Sequence, residues 1–206
     1  TFKLRRGVKF QNGEPFNAQT VKYSFERAGA EKSTNKDKRL FQSMAFIGTP
    51  DPTTVVIGMK TIEPDLLFLL GQATAIIVEP KSSETNATQP VGTGPFKLAQ
   101  WRRSSLIVLE RNPEFREMFY DAEPAAGDAE GQALLARFKG RKLPMIDRVE
   151  ISIIEEQQPR WLAFVGGEAD YIDKVSNTFI NLAMPGGKVA PNLAKQGIRA
   201  YQQLEP

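Results

Sequence analysis

The sequence contains no cysteine and no histidine among its 206 residues. Thiol nucleophiles, zinc sites built from Cys or His, and general-base catalysis by imidazole are therefore excluded, because each requires one of these side chains. Enzymatic chemistry is limited to carboxylates, lysine, or serine paired with lysine. The absence of cysteine leaves the redox compartment open, since a protein without thiols is indifferent to it.

Long apolar runs are also absent. No stretch approaches the roughly 18 uninterrupted apolar residues that a membrane-spanning helix requires, and no charged-then-apolar leader opens the sequence. Hydrophobic residues nevertheless make up 41% of the chain, which is enough to form a core in one large domain or two small ones. The composition therefore predicts a globular fold without a membrane span.

Positive charge is concentrated at the start of the chain. The net charge is +3, but residues 1–39 carry ten Lys or Arg against four Asp or Glu, so the remaining 167 residues sum to −3. Aromatic residues lie among these basic ones, a pattern that also occurs in proteins that bind nucleic acids or other polyanions. We favour the alternative that the aromatics are core residues and the charges occupy turns and a polar helix face.

The pattern of apolar residues predicts alternating helices and strands. Asn17 is the expected N-cap of a helix over Ala18–Ala28, and further helices are expected at 65–70 and 158–165. Strands are expected at 1–4, 53–59, 75–78, 96–101, 106–110 and 149–154, with short strands at 166–172 and 198–204. Residues 81–89 are polar and predict a connector between two parts of the chain.

Residues 114–144 interrupt the strand pattern. Asp128 is a suitable N-cap, and Leu134, Leu135 and Phe138 share one face of the helix that would follow it. Gly140 marks the expected end of that helix. The segment therefore predicts a helix inserted into a loop.

The stretch Pro90–Pro95 contains two glycines and two prolines in six residues. This composition predicts a tight corner in the backbone, from which a strand begins at Phe96. We assign a structural role in this corner to Gly92, Thr93, Gly94 and Pro95.

Three segments in this order carry a resemblance to a known family. Residues 1–16 contain Thr-Phe-Lys-Leu-Arg-Arg-Gly-Val-Lys-Phe followed by Asn-Gly-Glu-Pro-Phe, residues 92–96 are Gly-Thr-Gly-Pro-Phe, and residues 107–113 are Ile-Val-Leu-Glu-Arg-Asn-Pro. Together they resemble the family 5 extracellular solute-binding proteins, which are the peptide, dipeptide and nickel binding components of bacterial ABC importers. The resemblance runs along essentially the whole chain.

The resemblance implies a mixed α/β fold that forms one lobe of a two-lobed periplasmic binding protein, with a mixed sheet, flanking helices and a small inserted subdomain. Residues 1–89 would be that subdomain, and residues 90–206 would return into the main sheet, with 114–144 longer than usual. In relatives, a secretion signal and the start of the lobe come earlier, and the second lobe follows. We therefore expect the chain to be a fragment of a longer protein.

The function implied by the resemblance is capture of a small solute, most often an oligopeptide, for delivery to an ABC permease. The protein would not be an enzyme, would need no cofactor, and would be monomeric at full length. It would be periplasmic or lipid-anchored outside the cytoplasm. Ligands of such proteins are held in an extended conformation between lobes that close around them.

In relatives, two segments of this region face the ligand cleft, and here they contain Arg39, Phe41, Gln72 and Thr74. The resemblance implies that Arg39 pairs with a ligand carboxylate, that Phe41 packs on the ligand, and that Gln72 or Thr74 hydrogen-bonds the ligand backbone. The alternative is that Phe41 belongs to the core and Arg39 merely ends a charged loop.

Metal binding and catalysis have weaker support. Nickel-chelate binders of the family use an arginine near the second segment, where this sequence has Ala73, so no metal site is expected. The acidic stretch 121–130 does not match a calcium loop and is expected to cap a helix. A carboxylate-based hydrolase would use a pair such as Glu168 and Asp170. We rank both the hydrolase and the polyanion binder below solute capture.

Overall fold

The computed structural model describes residues 1–85 and 88–201. The chain divides into two compact units, of which the first is Thr1–Trp101 with Ile107–Glu150 and the second is Arg102–Leu106 with Ile151–Pro206. The strands are β1 (Phe2–Lys3), β2 (Met44–Asp51), β3 (Thr54–Met59), β4 (Phe96–Arg102), β5 (Leu106–Arg111) and β6 (Arg148–Ser152). The helices are α1 (Ala18–Gly29), α2 (Lys38–Gln42), α3 (Leu66–Leu70), α4 (Pro80–Thr85), α5 (Ala129–Phe138), α6 (Gln157–Val165), α7 (Asn177–Ala183) and α8 (Pro191–Lys195).

Helix α1 packs on an antiparallel sheet in the first unit. The sheet has the strand order β1-β3-β2, with Phe2 opposite Val55 and Ile47 opposite Ile57. Asn17 caps the helix as predicted, because its Oδ1 accepts hydrogen bonds from the backbone N–H groups of residues 19 and 20. Helix and sheet enclose a cluster of buried residues, which we call the first cluster: Ala18, Val21, Phe25, Phe41, Met44, Val55 and Ala75.

The strand predicted at 75–78 is wrong. Residues 73–75 form a 3-10 turn and the following residues are extended without a strand partner. The hydroxyl of Ser24 takes the place of a neighbouring strand, since its Oγ accepts from the backbone N–H of Val78 at 3.0 Å. The predicted connector at 81–89 is helical at its start, where α4 runs to Thr85, and its residues 86 and 87 lie outside the described residues.

A second three-stranded sheet has the order β4-β5-β6. Strands β4 and β5 form the hairpin that the sequence predicts, and Ser104 in its turn has a positive φ of 55°. The helix predicted within 114–144 is present as α5, with the Asp128 carboxylate accepting from the backbone N–H of Gly131 at 2.9 Å. No side chain of α5 is buried.

The second unit is built on helices α6, α7 and α8. Its buried residues, which we call the second cluster, are Trp161, Ala183, Ala190 and Leu193. The Trp161 ring stacks on Phe179 with 5.7 Å between centroids and 11° between planes.

The strand predicted at 166–172 is wrong. Gly166 and Gly167 end α6 instead, with Gly167 at φ 81° and the N–H of Glu168 donating to Ala163 O. Residues 198–201 are not in a strand either, and the rest of that predicted strand lies outside the described residues. Within 1–85 and 88–201, every helix is too short or too polar to cross a bilayer.

Candidate functional site

The two segments predicted to face a ligand both border the first cluster in the first unit. Arg39 is in α2, and Gln72 precedes the 3-10 turn that contains Thr74. The side-chain amide of Asn35 donates to Thr74 O at 3.2 Å, and Phe41 and Ala75 belong to the same cluster. The fold therefore joins two segments that are more than thirty residues apart in the chain.

The four predicted ligand contacts differ in exposure. Arg39 and Gln72 are exposed and Thr74 is half-buried. Phe41 is only 5% exposed, and its ring packs against Phe25 with 5.4 Å between centroids. The burial of Phe41 matches the alternative that the sequence left open for it. The ligand-contact role of all four residues stays a prediction.

A close approach between α1 and α2 fixes the position of Arg39. A Cβ atom at Gly29, the last residue of α1, would lie 2.8 Å from the Phe41 Cβ. The Gln42 side-chain amide also donates to Gly29 O at 3.1 Å. Only glycine allows this contact, so residue 29 determines how α2 sits on α1.

The exposed Arg39 guanidinium has no ion-pair or hydrogen-bond partner within the described part of the chain. Arginine is suited to bind a carboxylate through two parallel hydrogen bonds. The arrangement can therefore present one free cation and one free carboxamide, Gln72, on the surface of the first unit.

The corner at 92–95 is held by the other two segments of the family resemblance. Gln11 donates from its backbone N–H to Gly92 O at 2.9 Å and from its side-chain Nε2 to Phe96 O at 2.6 Å. Asn112, which is 5% exposed, donates from its backbone N–H to Pro95 O at 2.8 Å and from Nδ2 to Gly94 O at 3.2 Å. The three segments thus meet at one polar junction.

The two carboxamides of this junction were not identified from the sequence. The sequence pattern gives Asn112 no role within the Arg-Asn-Pro segment, and it gives Gln11 none. The available signal was the Asn-Pro pair at 112–113, because Asn-Pro favours a turn in which the asparagine side chain hydrogen-bonds to nearby backbone. No signal in the sequence distinguished Gln11 from the other glutamines.

The glycines of the corner do not have the backbone conformation that their residue type suggests. Neither Gly92 nor Gly94 has a positive φ. A Cβ at Gly94 would meet no atom within 4 Å, and a Cβ at Gly92 would meet only the Gly94 nitrogen, at 3.9 Å. The corner is therefore shaped by hydrogen bonds to its carbonyl groups, and the structural role assigned to residues 92–95 stays a prediction.

Arg116 lies beside the same corner. Its Nη1 donates to Thr93 O at 3.4 Å, and its guanidinium carbon is 4.6 Å from the centre of the Phe115 ring. Burial lowers the pKa of Arg116, and the nearby positive charge of Arg5 lowers it further. The Nε–H is buried and has no hydrogen-bond partner among the described residues.

The acidic side chains that the sequence offered as candidates are not gathered into one site within residues 1–85 and 88–201. Glu168 and Asp170 are both exposed and make no ion pair with a described residue. The described ranges also contain no group of three or more Asp or Glu side chains placed to hold a metal ion. Asp128 caps α5, as predicted for the acidic stretch.

Comparison with known proteins places this fold in context. Residues 1–202 match the family described as bacterial extracellular solute-binding proteins, family 5 Middle. The glutathione-binding protein GsiB of Escherichia coli strain K12 is 32% identical over 115 residues, which cover 54% of this chain and 22% of GsiB.

Two solved structures resemble the chain over most of its length. The PBP AgaA from A.tumefacien R10, in complex with agropinic acid, matches with a TM-score of 0.70 and 25% identity over 88% of this chain and 33% of AgaA. A nickel ABC transporter from Bacillus halodurans matches with a TM-score of 0.65 and 28% identity over 89% of this chain and 32% of that protein. The fold is thus a mixed α/β fragment of the periplasmic binding protein fold, as predicted, and the chain spans a third or less of the length of these relatives.

Proposed function

Because the chain belongs to the bacterial extracellular solute-binding proteins of family 5, we propose that the whole protein is the substrate-binding component of an ABC importer. It captures a small solute between two lobes and delivers it to a membrane permease from outside the cytoplasm. The observation that carries this proposal is the family match over residues 1–202. The family consists of solute-binding proteins and not of enzymes, which confirms the prediction that the chain is not catalytic.

The substrate class that we propose is an oligopeptide. GsiB is named for glutathione, which is itself a tripeptide, and AgaA holds an organic acid. Both ligands carry carboxylates. A nickel chelate is supported less well as the ligand, because the chain has no histidine. The family resemblance also implies an arginine near position 73 in nickel-chelate binders, and this chain has Ala73 there.

Within this proposal, Arg39 binds a carboxylate of the ligand and Gln72 hydrogen-bonds its backbone. Support comes from the exposure of both side chains and from the absence of a described partner for the guanidinium. Thr74 is half-buried and contributes from the edge of the same surface. Phe41 contributes indirectly, because its ring packs in the first cluster and thereby holds α2, and with it Arg39, in place.

The first experiment is native mass spectrometry of the full-length protein, purified without denaturation, with identification of any small molecule that it retains. A series of peptide masses is the expected result. A single opine or metal chelate would preserve solute capture and overturn the peptide assignment. A protein that arrives empty and shows no ligand-dependent closure with peptides, opines or nickel chelates would overturn the proposed function.

The predicted contact is tested by Arg39→Ala, measured by isothermal titration with the peptide identified in that experiment. Loss of a charge-assisted pair is expected to weaken binding about tenfold or more. Arg27→Ala is the matched control, because Arg27 lies in the last turn of α1 and is also an arginine on the surface. Equal affinities of the two variants would show that Arg39 does not contact the ligand.

A further inference from the structure

The second unit contains a large recess with a mostly apolar lining. The recess has a volume of about 1350 Å³, and its lining includes Trp161, Phe164, Tyr171, Met184 and Tyr201. We call it the aromatic recess. None of the four predicted ligand contacts lines it, so an inference about this recess goes beyond the proposed function.

Two tyrosine rings on the wall of the aromatic recess are in contact with solvent. Tyr171 is 76% exposed and Tyr201 is 71% exposed, and a tyrosine ring carries a large apolar area that favours burial. Exposed charged residues also line the recess, namely Asp170, Asp173 and Arg199. An apolar surface accompanied by charged side chains is typical of a surface on which another part of a protein packs.

The second unit buries few side chains for its length. It comprises residues 102–106 and 151–206. Its buried side chains, among the residues that the structure describes, are Trp161, Ala183, Ala190 and Leu193. Domains of about 60 residues are marginally stable even with a complete core, and an alanine buries little apolar surface. The unit therefore needs further apolar contacts, and the aromatic recess is where apolar side chains await them.

The relatives have enough additional chain to provide these contacts. This chain covers 33% of AgaA and 22% of GsiB, so two thirds or more of each relative lies outside the match. The path of the chain favours the segment after residue 206, because Tyr201, the last described residue, is on the wall of the recess. Thr1, in contrast, belongs to the first unit. A segment that starts beside the recess closes only a short loop to reach it, which costs little entropy.

The size and connectivity of the recess disfavour other occupants. Pockets for small solutes have volumes of about 300–1,000 Å³ and enclose most of the ligand, whereas the aromatic recess is larger and open. A second copy of the chain would compete with a segment tethered beside the recess, and a short tether gives an effective concentration of about millimolar.

We propose that the segment following residue 206 in the whole protein packs into the aromatic recess and covers Tyr171 and Tyr201. Its apolar side chains complete the second cluster. This contact forms with or without a bound solute, so the proposal and the proposed function fail on different measurements: the first on what covers the recess, the second on what the protein retains and closes around.

The first measurement is hydroxyl-radical footprinting of the full-length protein, which reports how exposed each tyrosine ring is. Each oxidation rate is compared with the rate at the same residue in the unfolded protein. Exposed rings react nearly as fast as in the unfolded protein, whereas covered rings react several-fold more slowly. We expect Tyr171 and Tyr201 to be protected, and unprotected rings would overturn the proposal.

The second measurement identifies what covers the recess. The photo-cross-linking residue p-benzoylphenylalanine replaces Tyr171 in the full-length protein, and the cross-linked peptide is sequenced by mass spectrometry. Tyr201 is a second labelling position, so the test does not depend on one variant folding. Phe46 is the control position, because it is 56% exposed and lies in the first unit.

The expected result is a cross-link within one chain, from position 171 or 201 to a peptide that follows residue 206. Position 46 should not label that peptide. A cross-link between two chains that is lost on dilution would identify a second copy, and an adduct with a small molecule would identify a solute. Either result, labelling of the same peptide from position 46, or no cross-link to the segment after residue 206 would overturn the proposal.

Discussion

The first and second clusters bury their apolar residues in different ways. In the first, α1 lies on a three-stranded sheet, and large side chains from α1, α2 and both long strands interdigitate. In the second, two of the four buried residues are alanines, and residues 153–201 contain no strand. Trp161 is the one large side chain among the four, and it stacks on the partly buried Phe179.

The two units therefore differ in how completely their apolar side chains are shielded from solvent. The second unit has an open recess of about 1350 Å³ beside Trp161, and Tyr171 on its wall is 76% exposed. A sheet presents a continuous apolar face to a helix, whereas short helices leave gaps between them. Burial in the first unit is therefore shared among several large side chains, whereas in the second unit Trp161 is the only large aromatic residue among the buried ones.

The largest effect is expected from Phe41→Ala in the first cluster. Removing a buried phenylalanine costs about 3–5 kcal/mol because of lost transfer free energy and the cavity that remains. Thermal unfolding followed by circular dichroism should show a fall in Tm of about 10 °C. Phe46→Ala is the control, since Phe46 is 56% exposed, and equal losses in both variants would contradict the assigned core.

The next effect is expected from Trp161→Ala in the second cluster. Its cost is about 2–4 kcal/mol, because the loosely closed site can collapse and recover part of the loss. Hydrogen exchange should show increased opening of α6 to α8 with little change in α1. Leu162→Ala, at a position 55% exposed, should change little. Comparable loss of protection in α1 would break the distinction between the clusters.

A smaller effect is expected at the polar junction of the first unit. Asn112→Ala removes the side-chain hydrogen bond that Nδ2 donates to Gly94 O and the one that Oδ1 accepts from the Glu114 N–H. The backbone hydrogen bond from Asn112 N–H to Pro95 O remains. A loss of about 1–3 kcal/mol in urea unfolding is expected. Gly94→Ala should stay within about 1 kcal/mol, and a larger loss for Gly94→Ala than for Asn112→Ala would refute the hydrogen-bond account of the corner.

The smallest effect on stability is expected from replacing Asp51, which lies at the turn between β2 and β3. Hydrogen bonds from the Thr54 hydroxyl and then from the Thr53 backbone lower the pKa of Asp51 from 3.8 to about 2. A lowered pKa in the folded state stabilises the protein above pH 3.8, and this contribution disappears as pH falls towards 2. In acid titrations, Asp51→Asn should flatten the stability curve between these pH values, and an unchanged slope would count against the interaction.

Several elements were predictable because their signals are local. The helix over 18–29 combines an N-cap with an apolar stripe, and the hairpin β4–β5 combines two apolar runs with a polar turn. Strand β2 was missed because Pro50 and Asp51 indicate a turn. An edge strand tolerates proline, since one side of the strand needs no backbone donor, and β2 is at the edge of its sheet.

The errors have a common physical cause. Residues 75–78 have the composition of a strand, but the Ser24 hydroxyl satisfies the Val78 backbone and no neighbouring strand is needed. At 166–172, Gly166 and Gly167 provide the helix end of α6. The structure at 75–78 depends on a partner that is distant in sequence, and the structure at 166–172 depends on the geometry of a helix end. The periodicity of apolar residues reports neither of these. The exposure of Arg39 and the burial of Phe41 were likewise decided by packing.

The hydrogen bonds that Gln11 and Asn112 make to the corner at 92–95 have a consequence for mutational tolerance. Both side chains bind main-chain oxygen atoms, which every residue type provides. A library randomised at positions 91 and 93 should therefore yield many folded variants, whereas one randomised at 11 and 112 should yield few.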